Sequence, residues 1–343
     1  MIFKTFPYGW HPYLECYSRS MNFYNISVIP GQDFNNKILY EKELTGIHFH
    51  WIEYLCSASN SFMKFKSVLG LYSFLRLAKR LKKRILWTVH NHHPHDSASP
   101  LFYRMLAFLL ARSSDLIIVH SNWSKNYVLK KFKPNCSVVV MYHGNFIGYF
   151  KSNFPVSALK KRYGLNEDLP VCSVIGTIRP YRGHELSIRI LEYLTDVQLV
   201  IAGMPYSSQY LDFLKRVARP LEKRVFFFPR RLTDDEYADF LKLTDIVLLP
   251  YHKVTTSGAL LASWSMGRPV VCPWHPYFSE LLGENSPAGH FARLDARDFS
   301  HSIFGLLSYP EKDRFMSSIN KAKRYDWNIV VRPVVQALKS FGL

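Results

Sequence analysis

The sequence has no long apolar stretch. None of the 343 residues falls in a run near the roughly 20 apolar positions needed to cross a bilayer. The opening MIFKTFPYGW holds no apolar h-region, so it does not read as a signal peptide. Cysteine is sparse: Cys16, Cys56, Cys136, Cys172 and Cys272 are odd in number, far apart and never in a CxxC pair. That excludes a disulfide framework or zinc ribbon and fits a reducing cytosol. Acidic residues are also scarce, 26 against 44 Lys and Arg, for a net charge of +18. Residues 1–150 carry 18 basic and 7 acidic side chains, a net of +11, which leaves +7 for the remainder. Such an excess favours polyanionic partners: nucleic acid, anionic lipid head groups or phosphorylated substrates. Low-complexity tracts, short-period repeats and the signatures of RRM, KH, zinc-finger or helix-turn-helix modules are missing, so no nucleic-acid partner is expected.

What the chain does have is a repeated order of short β-branched or aromatic runs, loops and helical patterns. Strands are expected at Ile26–Ile29, Gly46–His50, Ile85–His90, Leu116–His120 and Ser137–Met141, then at Val171–Gly176, Val197–Ala202, Arg224–Phe228, Ile246–Leu249 and Pro269–Cys272. Helical patterns fall between them, as at Phe65–Lys83, Leu101–Ala111, Glu185–Leu194, Gln209–Ala218 and Asp234–Leu243. Strands alternating with helices of this length predict α/β architecture, with two doubly wound parallel sheets. The turn-rich, charged stretch 145–170 is the expected boundary, giving domains 1–150 and 151–327, with a final helix over about 328–343 expected to pack back on the first. Ligands of doubly wound sheets bind at the carboxyl ends of the strands, so chemistry is sought in the residues that follow them.

Two such segments lie in the second half. Gly176-Thr-Ile-Arg179-Pro-Tyr-Arg182-Gly183 follows a strand and opens a helix. Gly176 permits close backbone approach, Arg179 and Arg182 suit phosphate, and the helix start offers free N–H groups; a solvated basic turn is the plain alternative. Thr256-Ser257-Gly258 begins a helix that Gly267 ends; Thr256 or Ser257 is a good N-cap, and the first turn would present amides to an anion.

The first half is rich in histidine. His48 and His50 end one strand, His90, His92, His93 and His95 follow the next with Asp96, and His120 and His143 end two more. Such residues can meet on one rim, as general bases or hydroxyl ligands, or hold a metal. The basic stretch Lys64–Arg84 interleaves Phe65, Val68, Leu69, Tyr72, Leu75 and Leu81 with Lys and Arg. It reads either as a helix packed on the sheet or as a helix lying on an anionic membrane surface.

The segments IHFHW (47–51), WTVHNHHPHD (87–96), MYHGNF (141–146), GTIRPYRG (176–183), LVIAG (199–203) and TSGALLASWSMGRPVV (256–271), in this order, resemble GT-B glycosyltransferases. The likeness is greatest to bacterial relatives of glycosyltransferase family 4 that build exopolysaccharide or capsule. The resemblance covers nearly the whole chain. It implies two Rossmann-like domains facing each other across a cleft, the first binding the acceptor and the second a UDP- or GDP-sugar donor. It implies Gly176, Arg179, Arg182, Thr256, Ser257 and Gly258 at the diphosphate, His90 facing the transferred sugar, and no metal or other cofactor. The acceptor implied is a saccharide, polyprenyl-diphosphate-linked in such pathways, which places the enzyme in the cytoplasm at the inner face of the plasma membrane. One departure stands out. Many family 4 enzymes carry two glutamates eight apart around the phosphate-binding helix, where this chain has Val254 or Thr255 and Ala262 or Ser263. That leaves the ribose contact and the stereochemistry open; for an inverting reaction, His95 and Asp96 are the candidate bases. The competing readings are a metal-dependent hydrolase built on His90–Asp96 and a basic nucleic-acid-binding protein.

Overall fold

In the computed structural model, residues 1–6, 11–31, 36–56, 60–93 and 99–342 are described. The chain divides into two compact units, Met1–Gly144 with Asp326–Leu343, and Asn145–Tyr325.

In the first unit the elements are β1 (Ile2–Phe6), α1 (Pro12–Phe23), β2 (Ser27–Pro30), β3 (Gly46–Phe49), α2 (Ser61–Arg80), β4 (Arg84–Val89), α3 (Pro100–Ser113), β5 (Leu116–Val119), α4 (Asn122–Phe132) and β6 (Ser137–Val140). The sheet is wholly parallel, in the order β2-β1-β3-β4-β5-β6. Right-handed crossovers place α2, α3 and α4 together on one face, because β3 to β6 advance in one direction, and α1 on the other. Strands such as LIIV in β5 are buried on both sides, which is why they read as unbroken apolar runs.

The second unit contains α5 (Val156–Arg162), β7 (Val171–Ile175), α6 (His184–Arg189), β8 (Gln198–Ala202), α7 (Ser208–Ala218), β9 (Val225–Phe228), α8 (Asp234–Leu243), β10 (Ile246–Leu248), α9 (Gly258–Ser265), β11 (Val270–Pro273), α10 (Pro276–Leu282), β12 (Gly289–Ala292), α11 (Ala296–Leu307) and α12 (Glu311–Lys323). Its sheet is also parallel, in the order β12-β11-β10-β7-β8-β9. In each sheet the strand order reverses at the unit's first strand, β1 or β7, the doubly wound arrangement.

Several expectations shift. Residues 145–150 belong to the second unit rather than the first, and Asp326 and Trp327 to the first. The single helix expected over 328–343 is two, α13 (Trp327–Val330) and α14 (Arg332–Lys339), interrupted ahead of Pro333, which has no N–H to continue the ladder. They belong to the first unit, where Ser20 Oγ donates to Asn328 Oδ1 at 2.7 Å. The basic helix is not 64–84: it starts at Ser61 and ends at Arg80, and Arg84 opens β4. Its inward face is Val68, Leu71, Phe74, Leu75 and Ala78, whereas Phe65, Leu69 and Tyr72 of the expected stripe stand exposed.

Candidate active site

The carboxyl edge of the first sheet gathers histidines. His50, His90 and His120 each occupy the first position after a strand, and His143 follows β6 by three residues. Because β3, β4, β5 and β6 are consecutive neighbours, the rings stack side by side, with His48 behind them at a ring-centroid distance of 4.1 Å from His50. Tyr13 of α1 touches His90, His120 and His143 at centroid distances of 4.9, 5.6 and 5.1 Å, and Trp51 lies flat on His90 at 4.3 Å. All five histidines are buried.

One carbonyl fixes the protons of three of them. The Met141 oxygen can only accept, so His120 donates to it from Nδ1 at 2.8 Å and, when neutral, keeps a lone pair on Nε2. His90 must then donate from Nδ1 to His120 Nε2 at 3.3 Å, and accept on Nε2 from His50 Nδ1 at 2.9 Å. His50 Nε2 is left as a buried acceptor without a partner among the described residues. His48 Nε2 pairs with Thr88 Oγ1 at 2.8 Å, and His143 Nδ1 donates to the Gly144 carbonyl at 2.7 Å. Burial, and then the neighbouring imidazoles, hold these rings neutral: His48 and His143 are lowered to about 3, His120 to about 4 by burial alone, and His50 and His90 well below the ordinary value. Both ring nitrogens of His90 are thus engaged inside the cluster.

The remaining histidines diverge. His92 turns away, bonded through Nε2 to Ser124 Oγ at 2.7 Å and stacked on Tyr127 at 3.9 Å. His95 and Asp96 lie outside the described residues. Among the described residues, no group of three His, Cys, Asp or Glu is arranged to hold a metal ion.

In the second unit the loops after β7, β8 and β10 are stitched together. Ile178 N–H donates to the Met204 carbonyl at 2.9 Å, Tyr206 N–H to the Ile178 carbonyl at 2.9 Å, and His252 N–H to the Tyr181 carbonyl at 2.9 Å. Gly176 has a φ of +117°, and a Cβ there would overlap the Arg182 guanidinium. Gly183, at +69°, lies so close to the Pro250 carbonyl that a Cβ would strike it. The two arginines behave differently. Arg182 bends back on its own loop: it donates to the Ile175 carbonyl at 3.3 Å and to Tyr251 Oη at 2.5 Å, and lies over the Tyr251 ring. Arg179 lies over the Tyr206 ring at 5.3 Å, and its buried Nη1 has no hydrogen-bond partner among the described residues. Segments 176–183, 203–206 and 250–258 contain no Asp or Glu, and Arg179, Arg182 and Lys253 supply their charge.

Ser257 is the N-cap of α9, its Oγ accepting from Leu260 N–H at 3.2 Å, and Gly258 is the first helical residue. Spacing did not reveal Tyr277, buried on α10, whose Oη accepts the Ser257 N–H at 2.9 Å and lies 3.4 Å from Thr256 Oγ1. Nothing near Ser257 in the sequence points to a residue 20 positions on. Ala262 and Ser263, where the second glutamate would fall, are both buried, and Ser263 Oγ donates to the Ala259 carbonyl at 2.7 Å.

The chain is similar to several known proteins. Residues 170–308 match the family "Glycosyl transferases group 1". Over 254 residues the chain is 24% identical to a GDP-mannose:glycolipid 4-beta-D-mannosyltransferase of Xanthomonas campestris pv. campestris. That alignment spans 71% of this chain and 66%, just under two thirds, of the relative. A glycogen synthase of Bacillus licheniformis is 25% identical over 192 residues, 51% of this chain and 39% of that one. Among solved structures, Anabaena HepE in complex with UDP and glucose superimposes with a TM-score of 0.76 at 15% identity, covering 99% of both chains. The sucrose-phosphate synthase of Thermosynechococcus elongatus gives 0.75 at 13% identity over 100% of this chain and 99% of that one. Residues 170–308 are therefore a glycosyl transferases group 1 domain, in a chain that shares its fold with these solved structures.

Proposed function

We propose that the protein transfers a hexosyl group from a GDP- or UDP-sugar to a hydroxyl of a saccharide acceptor, lipid-linked, in bacterial surface polysaccharide synthesis. The observation that carries the donor half is the unpartnered, buried Nη1 of Arg179 in a set of loops without a carboxylate. A cation so placed suits a diphosphate, and the N-terminus of α9, capped by Ser257, adds amide dipoles. The mannosyltransferase relative supports GDP-mannose and a glycolipid acceptor, and HepE supports a nucleotide diphosphate sugar in general.

In the reaction, the bond from the sugar C1 to the β-phosphate oxygen breaks and a bond from the acceptor oxygen to C1 forms. The proton of the acceptor hydroxyl passes to a base. Arg179 offsets charge growing on the leaving diphosphate, the kind of electrostatic stabilisation that dominates many enzymes. Arg182 acts through the loop it braces. The relative's name specifies a β-linked product, and forming one from an α-linked nucleotide sugar requires inversion at C1. The lack of both glutamates agrees with an inverting reaction. His90 is a poor base here, since each ring nitrogen already has a partner; His95 and Asp96 remain the candidates. Arginine and helix amides take the role a divalent ion plays elsewhere, so no metal is needed.

The test is transfer of radiolabelled sugar from GDP-mannose and UDP-glucose to a polyprenyl-diphosphate saccharide, with the anomeric configuration of the product read by NMR. Transfer with a β-linkage supports the proposal. Absence of transfer from every nucleotide sugar to every saccharide acceptor, or an α-linked product, contradicts it in the corresponding part.

A further inference from the structure

Along the carboxyl edge of the second sheet, four neighbouring strands run β11-β10-β7-β8. The middle two lead to the start of α9 and to Arg179, the amides and the cation assigned to the diphosphate. Each flank carries exposed apolar side chains. After β8 they are Met204 and Tyr206. Immediately after β11 comes Trp274, 69% exposed, whereas the other described tryptophans are buried or half-buried. Segments 203–206, 250–258 and 273–279 hold no Asp or Glu. The edge therefore reads apolar, cationic, apolar. A nucleotide sugar has the same pattern, with a ring-bearing end on either side of an anionic middle. The two flanks differ. Tyr206 already carries the Arg179 guanidinium over its ring at 5.3 Å, and the Met204 thioether beside it suits a heteroaromatic base. Among the described residues, no ring or cation lies on the Trp274 indole. Its backbone is set in advance: Pro273 precedes it, Pro276 keeps His275 extended, and His275 Nδ1 accepts the Tyr277 N–H at 3.1 Å as the N-cap of α10. Tyr277 in turn accepts the Ser257 N–H at 2.9 Å, which ties the Trp274 loop to the turn that starts α9.

From this placement we infer that Trp274 is the platform on which the transferred hexose of the donor rests, a specificity-determining contact to the sugar and not to the nucleotide. The inference rests on the donor reading above. The hexose is bonded directly to the β-phosphate, whereas the base is separated from it by the α-phosphate and the ribose. A side chain tied to the diphosphate turn therefore meets the hexose first. A pyranose has no π face, but its ring C–H groups form an apolar patch that packs on an electron-rich indole. With no carboxylate in these segments to take sugar hydroxyls, an apolar face is what they present. Thr256 Oγ1, 3.4 Å from Tyr277 Oη, lies on the same turn and offers a polar partner to a sugar hydroxyl.

The experiment is isothermal titration of the full chain with GDP-mannose, GDP, UDP-glucose and UDP, for the wild type, Trp274→Ala and Trp274→Phe. Trp274→Ala should weaken binding of the sugar nucleotide that the wild type prefers by about tenfold, and leave the matching free diphosphate within about twofold. Its kcat/KM should fall in the same proportion as the sugar-nucleotide affinity. Because the side chain is exposed, the melting point of the free protein should not change. Trp274→Phe, which keeps an aromatic face, should recover most of the affinity. The change in tryptophan fluorescence that the sugar nucleotide causes beyond that of the free diphosphate should vanish in Trp274→Phe. Equal losses for sugar nucleotide and free diphosphate would put the indole on the nucleoside and overturn the inference, as would unchanged binding of both. A wild type that binds none of the four ligands overturns the donor reading and this inference with it, whereas wild-type binding that Trp274→Ala leaves untouched overturns this inference alone.

Discussion

Acidification should unfold the first unit well above the pH at which carboxylates titrate, and the histidine cluster sets the size of the effect. In the unfolded chain each of these rings has its ordinary pKa of 6.5, while in the fold His48 and His143 are lowered to about 3 and His120 to about 4. A lowered folded pKa means that the unfolded state binds more protons below 6.5. Stability is therefore full above that value and is lost as pH falls toward the folded values. At about 1.4 kcal/mol per pKa unit, each ring contributes about 2 kcal/mol of loss between roughly pH 7 and pH 5. Three rings give about 6 kcal/mol, and His50 and His90, also held neutral, add to it. Domains are commonly stable by only about 5–15 kcal/mol, so unfolding near pH 5 is expected. The assay is urea unfolding followed by circular dichroism at a series of pH values. A His48→Asn variant, which removes one titrating ring, should reduce the pH slope by about one proton. A wild-type stability that changes by less than about 2 kcal/mol from pH 7 to pH 5 would refute the neutral-cluster argument.

Other consequences follow from single contacts. The 15N shifts of the folded protein at neutral pH should show His90 and His120 as Nδ1–H tautomers; an Nε2–H or doubly protonated His90 contradicts the chain of donors ending at Met141. Gly183→Ala should destabilise the second unit by several kcal/mol, about 2 or more, because both the positive φ and the Pro250 carbonyl resist a Cβ; calorimetric melting reads this, and an unchanged melting point contradicts it. Tyr277→Phe removes the acceptor of the Ser257 N–H and should cost about 1–2 kcal/mol of stability while weakening donor-nucleotide binding; wild-type binding would show that this turn does not hold the nucleotide. Transferase activity should survive EDTA; loss of activity that Mg2+ or Mn2+ restores would show that a divalent ion takes part after all.

Much of this fold was legible because parallel strands buried on both faces read as unbroken apolar runs. LIIV at β5 and VCSVI at β7 leave little choice. β1 (IFKTF) escaped notice because Lys4 and Thr5 interrupt its apolar character, and β12 (GHFA) because it has no β-branched residue. His50, His90 and His120 were each expected to close a strand, and each lies one residue beyond its end. Their convergence could be anticipated from consecutive strands each followed by histidine. Their protonation could not, since it depends on one carbonyl at Met141. Spacing also made Arg179 and Arg182 equivalent. The structure separates them, because Arg182 is held by carbonyls of its own loop and by Tyr251, 69 residues away. On α2, composition suggested an apolar stripe but could not tell the inward side from the outward one, since both are apolar.

The central claim is that the second unit holds a nucleotide diphosphate sugar at Arg179 and the start of α9. Isothermal titration of the full chain with GDP-mannose, UDP-glucose, GDP and UDP tests it most directly, repeated with Arg179→Ala. The account predicts saturable binding of at least one nucleotide at one site per chain. It predicts that Arg179→Ala weakens this binding about tenfold to a hundredfold, the loss of one charge-assisted hydrogen-bonding group, with an unchanged melting point for the free protein. Binding of no nucleotide, or equal binding by wild type and variant, would contradict it.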